Sequence, residues 1–148
     1  EKESSLEEKC GYYGEKLVLF AQELGLNTCW VAMTYSKIKT AFQVEKGEKL
    51  CIVIALGYGE TQGLPHKSKS MEEVIQLDGP APEWFQKGVE AALLAPTAMN
   101  QQKFLFRLDK NRVSVKAGFG FYTKIDMGIV KYHFEIGAGK EHFQWELS

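Results

Sequence analysis

The sequence has almost no excess charge and no long apolar run. Its 18 Lys and Arg residues nearly balance 19 Asp and Glu residues, which leaves a net charge of −1. A chain without a basic excess lacks the electrostatic footprint of a protein that binds nucleic acid or anionic membranes. The longest uninterrupted apolar run, Leu50–Leu56, has seven residues, far fewer than a membrane span needs. We therefore expect neither nucleic acid nor a membrane among its partners.

Cysteine is scarce as well. The three cysteines, Cys10, Cys29 and Cys51, are odd in number and widely spaced. This pattern argues against a disulfide framework or a zinc site and predicts reduced thiols in a cytoplasmic protein. The histidines do not form a metal-ligand spacing with the cysteines. No Ser-His-Asp arrangement, dinucleotide fingerprint or phosphate loop can be assembled. The sequence thus predicts no metal site and no catalytic side chain.

The first part of the chain contains helical and extended patterns. Apolar residues at helical spacing predict a helix over Tyr13–Leu24, ended by Gly25 in the left-handed conformation. The continuous run Leu50–Leu56 predicts a strand buried on both faces. A second helix is predicted between Pro82, in its first turn, and Pro96, which stops it. Its buried stripe consists of Phe85, Val89, Ala92 and Leu93.

The second part adds a hairpin, a helix and a strand. Phe104–Leu108 and Arg112–Lys116 flank a short polar turn and predict a β-hairpin. Thr123 and Asp126 are spaced like a capping box, which predicts a third helix from residue 124 to about residue 136. Alternating apolar residues predict a last strand through Phe143, Trp145 and Leu147. This order of helices and strands is typical of an α+β fold.

Three segments carry groups suited to a ligand. In His66–Lys69, an extended backbone would point Lys67 and Lys69 to the same side, where they can hold a phosphate dianion; the alternative is a solvated loop. Ala95–Gln102 combines small residues with amide donors and acceptors, which suits a flat polar ligand; the alternative is a scaffold loop. Trp30 can stack on an aromatic ligand or fill the core.

Several segments, taken in order, resemble the nitroreductase-like FMN flavoproteins. Glu15–Val31 resembles the late helix and strand of that family, and Leu50–Tyr58 resembles its following strand with the Leu-Gly-Tyr turn. His66–Val74 resembles its basic tail loop. Pro82–Gln102 then resembles an early part of the same family, and Asp126–Ile129 suits the same branch. A late half followed by an early half is similar to the C-terminal part of the fused branch, in which one chain imitates the usual homodimer.

The resemblance implies a nitroreductase-like α+β fold, with a mixed, mainly antiparallel sheet flanked by helices. It implies that the fold is incomplete in this chain, because the family's opening arginine-rich phosphate motif is absent and is expected upstream of Glu1. Residues 1–9 are expected to be a flexible lead or former linker. Residues 10–148 are expected to combine a late-half segment, 10–79, with a second, early-half-like segment, 80–148.

The implied activity is that of an oxidoreductase. In the family, NAD(P)H gives hydride to N5 of FMN, and a nitroaromatic or quinone-like acceptor then takes the electrons. The alternative is a non-catalytic flavin-binding or structural fragment that has no activity without the missing N-terminal part. The implied partners are NAD(P)H, a small aromatic acceptor, and either that missing part or further copies of the chain.

The resemblance also implies three groups of FMN contacts. Lys67 and Lys69 would bind the phosphate. The second group would line the isoalloxazine ring and consists of Trp30, Val31, Ala32 and Met33. The third would contact a flavin from the opposite half and consists of Pro96, Thr97, Ala98 and Asn100.

Overall fold

The computed structural model describes residues 3–33, 35 and 42–146, with side chains from residue 6 on. These residues form three α-helices, α1 (Glu3–Glu23), α2 (Glu83–Ala92) and α3 (Thr123–Ala138). The strands are β1 (Asn27–Val31), β2 (Val53–Gly57), β3 (Ile75–Gln76), β4 (Phe104–Asp109), β5 (Arg112–Ala117) and β6 (Gln144–Trp145). The fold is α+β, as the sequence predicted.

The described residues fall into two compact units. The first contains Glu15 and the residues before it, together with Leu64 and the residues after it; the second is Lys16–Gly63. These ranges differ from the segments 10–79 and 80–148, which were defined by resemblance and not by compactness, so that division stays a prediction. No helix in the part of the chain that is described is both long enough and apolar enough to cross a membrane.

The first unit contains a mixed sheet in the order β3-β4-β5-β6. β4 and β5 form the predicted antiparallel hairpin, in which Phe106 lies opposite Val115 and Asp109 lies opposite Arg112. β3 is parallel to β4, and β6 is parallel to β5. The predicted last strand is therefore present at Gln144–Trp145, while Leu147 lies outside the described residues.

An aromatic core joins this sheet to α2 and α3. Phe85 of α2, Phe106 of β4 and Phe134 of α3 are each fully buried. The rings of Phe106 and Phe134 are stacked with centroids 4.8 Å apart, and Phe85 meets both edge-on. The predicted stripe of α2 is buried throughout. The periodic pattern of α2 thus identified the face that packs on the rest of the unit.

α1 and α3 cross at two glycines. A Cβ atom built on Gly11 would lie 2.0 Å from the main-chain oxygen of Ile125, and one built on Gly128 would lie 2.0 Å from the main-chain oxygen of Glu8. Only residues without a Cβ atom permit so close an approach. An ion pair of 2.5 Å between Lys131 and Glu8 lies beside the crossing. Because α1 begins at Glu3, residues 3–9 are helical in the structure, where the sequence predicted a flexible lead.

The second unit contains the C-terminal part of α1 and the antiparallel pair β1–β2. Gly25, with φ of 77°, ends α1 as predicted. Its N–H donates to the main-chain oxygen of Gln22 over 2.9 Å, and the N–H of Leu26 donates to the main-chain oxygen of Ala21 over 3.0 Å. These two bonds form a Schellman motif.

One expectation for the second unit was wrong, and the apolar face of α1 is largely exposed. β2 is not buried on both faces, because β1 is its single strand partner among the described residues and Leu56 is 61% exposed. In α1, Leu17, Phe20 and Leu24 share the predicted apolar face, yet each is more than half exposed. A run or stripe of apolar residues indicates that a surface is suited to burial, and it does not say what covers that surface.

The predicted capping box of α3 is also wrong. The residue at the N-cap is Tyr122, which has a left-handed φ of 54° and makes no side-chain cap. The hydroxyl of Thr123 instead donates a hydrogen bond to the main-chain oxygen of Gly120 over 3.4 Å. The carboxylate of Asp126 accepts hydrogen bonds from a loop 25 or more residues earlier in the chain.

Candidate functional site

The structure brings two of the predicted segments together in the first unit. We call residues 66–69 the basic loop and residues 96–102 the amide loop. The ammonium of Lys69 donates to the main-chain oxygen of Gln102 over 3.0 Å, and the side-chain amide of Asn100 donates to the main-chain oxygen of Lys67 over 2.9 Å. The hydroxyl of Ser68 donates to the main-chain oxygen of Leu93, at the end of α2, over 3.1 Å. These contacts make a continuous surface of the two loops.

The amide loop has an unusual backbone. Met99, Asn100 and Gln102 have φ values of 54°, 50° and 44°, which is the left-handed region that residues with a Cβ atom disfavour. Residues 98–100 form a 3₁₀ turn, and the N–H of Gln102 donates to the hydroxyl of Thr97 over 3.0 Å. Several such residues close together cost free energy, about 1 kcal/mol or more each. A loop of this kind persists only where surrounding contacts hold it.

Gln102 supplies several of those contacts. Its side chain is buried, and its amide nitrogen donates to the main-chain oxygen of Lys67 and to Oδ1 of Asn100 over 2.9 and 2.8 Å. Its Oε1 accepts a hydrogen bond from the N–H of Lys69 over 2.9 Å. One side chain therefore connects the basic loop to the amide loop.

Asp126 of α3 holds the amide loop from the other side. Its Oδ1 accepts from the N–H of Ala98 over 3.0 Å, and its Oδ2 accepts from the side-chain amide of Gln101 over 2.7 Å. The same amide nitrogen of Gln101 donates to the main-chain oxygen of Phe121 over 2.7 Å. Burial raises the pKa of Asp126 above its ordinary value, and the two hydrogen bonds lower it by less than burial raises it.

Six of the ten predicted contacts lie on this joined surface, namely Lys67, Lys69, Pro96, Thr97, Ala98 and Asn100. Their side chains are not equally placed for a ligand. The side chain of Lys67 is exposed, whereas that of Lys69 is half-buried with its ammonium on Gln102. Thr97 and Asn100 use their polar side-chain atoms within the two loops. The exposed side chains of this surface include those of Lys67 and Met99.

The other four predicted contacts lie in the second unit. Trp30 and Val31 end β1, opposite Ile54 and Val53 of β2, and both are half-buried. Ala32 is also half-buried, while Met33 is 80% exposed. The role of these four residues stays a prediction.

Other reactive side chains of the described residues include His133 and the three cysteines. His133 is a buried histidine with both ring nitrogens close to partners: its Nε2 lies 2.8 Å from Oε1 of the buried Glu15, and its Nδ1 lies 3.2 Å from the main-chain oxygen of Ala91. None of the three cysteines forms a disulfide bond. Residues 3–33, 35 and 42–146 contain no group of His, Cys, Asp and Glu that could hold a metal ion.

Sequence reasoning missed two residues that shape the site. Gln102 was part of the predicted amide segment and received no role of its own, and Asp126 was assigned to a cap. Their partners lie 25 to 35 residues away in the chain. The position of Gln102 at the end of a polar run was a local signal, since a buried amide there needs partners from another segment.

Comparisons with known proteins agree with this fold. The crystal structure of a putative nitroreductase from Thermotoga maritima superposes with a TM-score of 0.72 at 24% identity, covering 93% of this chain and 57% of that one. The fold is therefore that of a nitroreductase-like α+β protein. The family described as "Putative TM nitroreductase" matches residues 1–138, and the chain belongs to that family. It spans little more than half the length of the Thermotoga protein. No curated protein matches the chain.

Proposed function

We propose that the chain belongs to an FMN-dependent oxidoreductase of the nitroreductase type, which uses NAD(P)H to reduce small aromatic acceptors such as nitroaromatics or quinones. Membership of the nitroreductase family supports this proposal. The observation that carries it is the contact between the basic loop and the amide loop, because it unites a cationic group with a strained main-chain surface. Backbone strain of this kind is concentrated at ligand sites in proteins.

The groups on this surface fit the chemistry of FMN. The exposed ammonium of Lys67 suits a phosphate dianion. The amide loop offers main chain beside Ala98 and Met99, while the side chains of Thr97 and Asn100 hold that main chain in shape. Flat polar rings are commonly bound by main-chain N–H and C=O groups on an otherwise apolar surface. For Trp30, Val31, Ala32 and Met33 of the second unit, we separately propose that they line an isoalloxazine ring.

When bound, FMN would supply the hydride and electron chemistry, since it accepts hydride from NAD(P)H and passes electrons to the acceptor. The protein's own residues would bind and orient it. Lys67 would fix the phosphate end by charge. Asp126 and Gln102 would keep the amide loop in its strained conformation through hydrogen bonds to main-chain and side-chain amides.

A non-catalytic flavin-binding piece is the second candidate. It is favoured by one observation, that the chain covers 57% of the length of the Thermotoga protein. Where a catalytic site is divided between two parts of a longer protein, one part can bind the cofactor and still lack turnover. The two candidates make the same prediction for flavin binding and opposite predictions for reduction by NAD(P)H.

A spectroscopic experiment tests both. The purified protein is mixed with FMN, freed of excess flavin, and its visible flavin absorbance is recorded before and after NADH or NADPH is added without oxygen. Retained absorbance that NAD(P)H bleaches supports the enzyme. Retained absorbance without bleaching supports the non-catalytic piece. Loss of all flavin at FMN concentrations that saturate ordinary flavoproteins would refute both candidates.

A lysine variant tests the phosphate assignment. We expect the double variant Lys67→Ala and Lys69→Ala to retain less FMN than the parent. The combination of Lys46→Ala and Lys116→Ala, which removes two exposed lysines outside both loops, is the matched control for the loss of positive charge. Equal flavin retention in the double variant and in the control would remove the phosphate assignment.

A further inference from the structure

Gln102 makes several hydrogen bonds that connect the two loops. It is 3% exposed, and its side-chain amide donates to the main-chain oxygen of Lys67 and to Oδ1 of Asn100. Its Oε1 accepts from the N–H of Lys69, and its own main-chain oxygen accepts from the ammonium of Lys69. Both ends of its side-chain amide are thus bound, and both reach the basic loop.

These contacts fix the main chain from which the Lys67 side chain projects. The carbonyl oxygen of Lys67 accepts two hydrogen bonds, from Gln102 and from Asn100, each 2.9 Å long. A carbonyl oxygen with two lone pairs is saturated by two donors, so rotation of this peptide would break both bonds. The side chain of Lys67 itself extends into solvent. The main chain from which it starts is therefore held by two amides of the other loop, those of Gln102 and Asn100.

The other lysine of the basic loop is differently employed. The ammonium of Lys69 is bound to the main-chain oxygen of Gln102 over 3.0 Å, and its side chain is half-buried. Lys69 thus helps to hold Gln102 in place, and Gln102 in turn holds Lys67. This divides the two lysines into one that faces the ligand and one that ties the loops together.

We propose that Gln102 is a positioning residue for the phosphate end of the flavin, and that it acts by holding the main chain of Lys67. The inference rests on the proposed function, because it needs a flavin phosphate near Lys67. Gln102 does not touch the ligand in this scheme. Its loss would leave Lys67 present and charged but with Asn100 as the one remaining donor to its carbonyl oxygen, and the looser main chain raises the entropic cost of engaging a phosphate.

Riboflavin provides the discriminating probe, since it carries the same ring as FMN and no phosphate. The affinities of the purified protein for FMN and riboflavin are measured by fluorescence titration, for the parent and for Gln102→Glu and Gln102→Met. Glu keeps an acceptor for the N–H of Lys69 and loses both donors, and Met has similar length and no charge. We expect the preference for FMN over riboflavin to fall about tenfold in both variants, the effect of losing one charge-assisted contact.

A double variant separates positioning from general damage. With Lys67→Ala in the background, Gln102→Met should cause no further loss of FMN preference, because its route to the phosphate is gone. A purely structural role would weaken FMN and riboflavin equally and would leave the preference unchanged. The inference is overturned if the two flavins are weakened equally. It is also overturned if the losses of FMN preference add up in the double variant, or if both Gln102 variants fail to fold.

The parent protein tells failure of the inference from failure of the proposed function. If the parent binds neither flavin, the proposed function fails. If the parent prefers FMN and the Gln102 variants keep that preference in full, the inference alone fails. If the parent binds FMN and riboflavin equally, the phosphate contact at Lys67 is absent, and the inference falls while ring binding stands.

Discussion

The ammonium of Lys69 lies 3.0 Å from the main-chain oxygen of Gln102, so that one of the two predicted phosphate lysines is bound to the protein itself. Lys67, two residues earlier, leaves its side chain exposed and its carbonyl oxygen bound. Spacing in the sequence treats the two lysines as equivalent. The structure gives them different surroundings, and this difference leads to the first prediction.

Lys69→Met should destabilise the protein by about 1–2 kcal/mol, because it removes a charge-assisted hydrogen bond to the strained amide loop. Lys67→Met should change the free energy of unfolding by less than about 0.5 kcal/mol, as expected of an exposed side chain. Urea unfolding of the two variants measures both values. Equal destabilisation by the two substitutions would contradict the separate roles of these lysines.

Asp126 should make stability depend on pH. Because burial raises its pKa above the ordinary value of 3.8, the folded state binds this proton more tightly than the unfolded state. The contribution of Asp126 to the free energy of unfolding is therefore largest at low pH, and it declines as the pH rises through the folded-state pKa. Asp126→Asn cannot titrate and lacks this decline.

The measurement is the unfolding free energy of the parent and of Asp126→Asn at several pH values from about 4 to about 7. We expect the parent to lose stability relative to the variant across this range. Titratable groups present in both proteins contribute equally, so their contributions cancel in the difference between the two unfolding free energies. A difference that stays flat, or that changes in favour of the parent as the pH rises, would show that burial does not dominate at Asp126.

The crossing of α1 and α3 should tolerate no added methyl group. Gly128→Ala places a Cβ atom 2.0 Å from the main-chain oxygen of Glu8, and Gly11→Ala does the same at Ile125. We expect each to cost about 3 kcal/mol, although helix propensity alone would favour alanine by about 1 kcal/mol. Thermal and urea unfolding provide the values. Gly79→Ala, with no atom within 4 Å of the added Cβ, is the control and should be nearly neutral.

Phe134→Ala should cost about 3–5 kcal/mol, because it removes a fully buried ring at the centre of the aromatic core. Phe119, which is 99% exposed, provides the matched substitution, and its replacement by Ala should leave the unfolding free energy unchanged. Calorimetry on the two variants is sufficient. Similar losses in both would mean that burial is not what makes Phe134 stabilising.

The elements that the sequence predicted well are those specified by neighbouring residues. The β4–β5 hairpin, the stripe of α2 and the Gly25 cap each depend on residues a few positions apart. The functions of Asp126 and Gln102 depend on partners 25 to 35 residues away. The chemistry of these two side chains is compatible with several partners and does not identify the actual ones. Likewise, the apolar run of β2 indicated a strand suited to burial. It did not predict how exposed that strand is, because exposure depends on the neighbouring elements.

The contact between Gly11 and Gly128 is reciprocal: each glycine meets the residue that stands three positions before the other. Two identical subunits related by a two-fold axis make contacts of this form, and here a single chain supplies both sides. Because the obstructing atom is a main-chain oxygen in each case, no substitution on the facing helix can make room. A side chain added at either glycine therefore collides with the backbone of the other helix, and the crossing needs glycine at both positions.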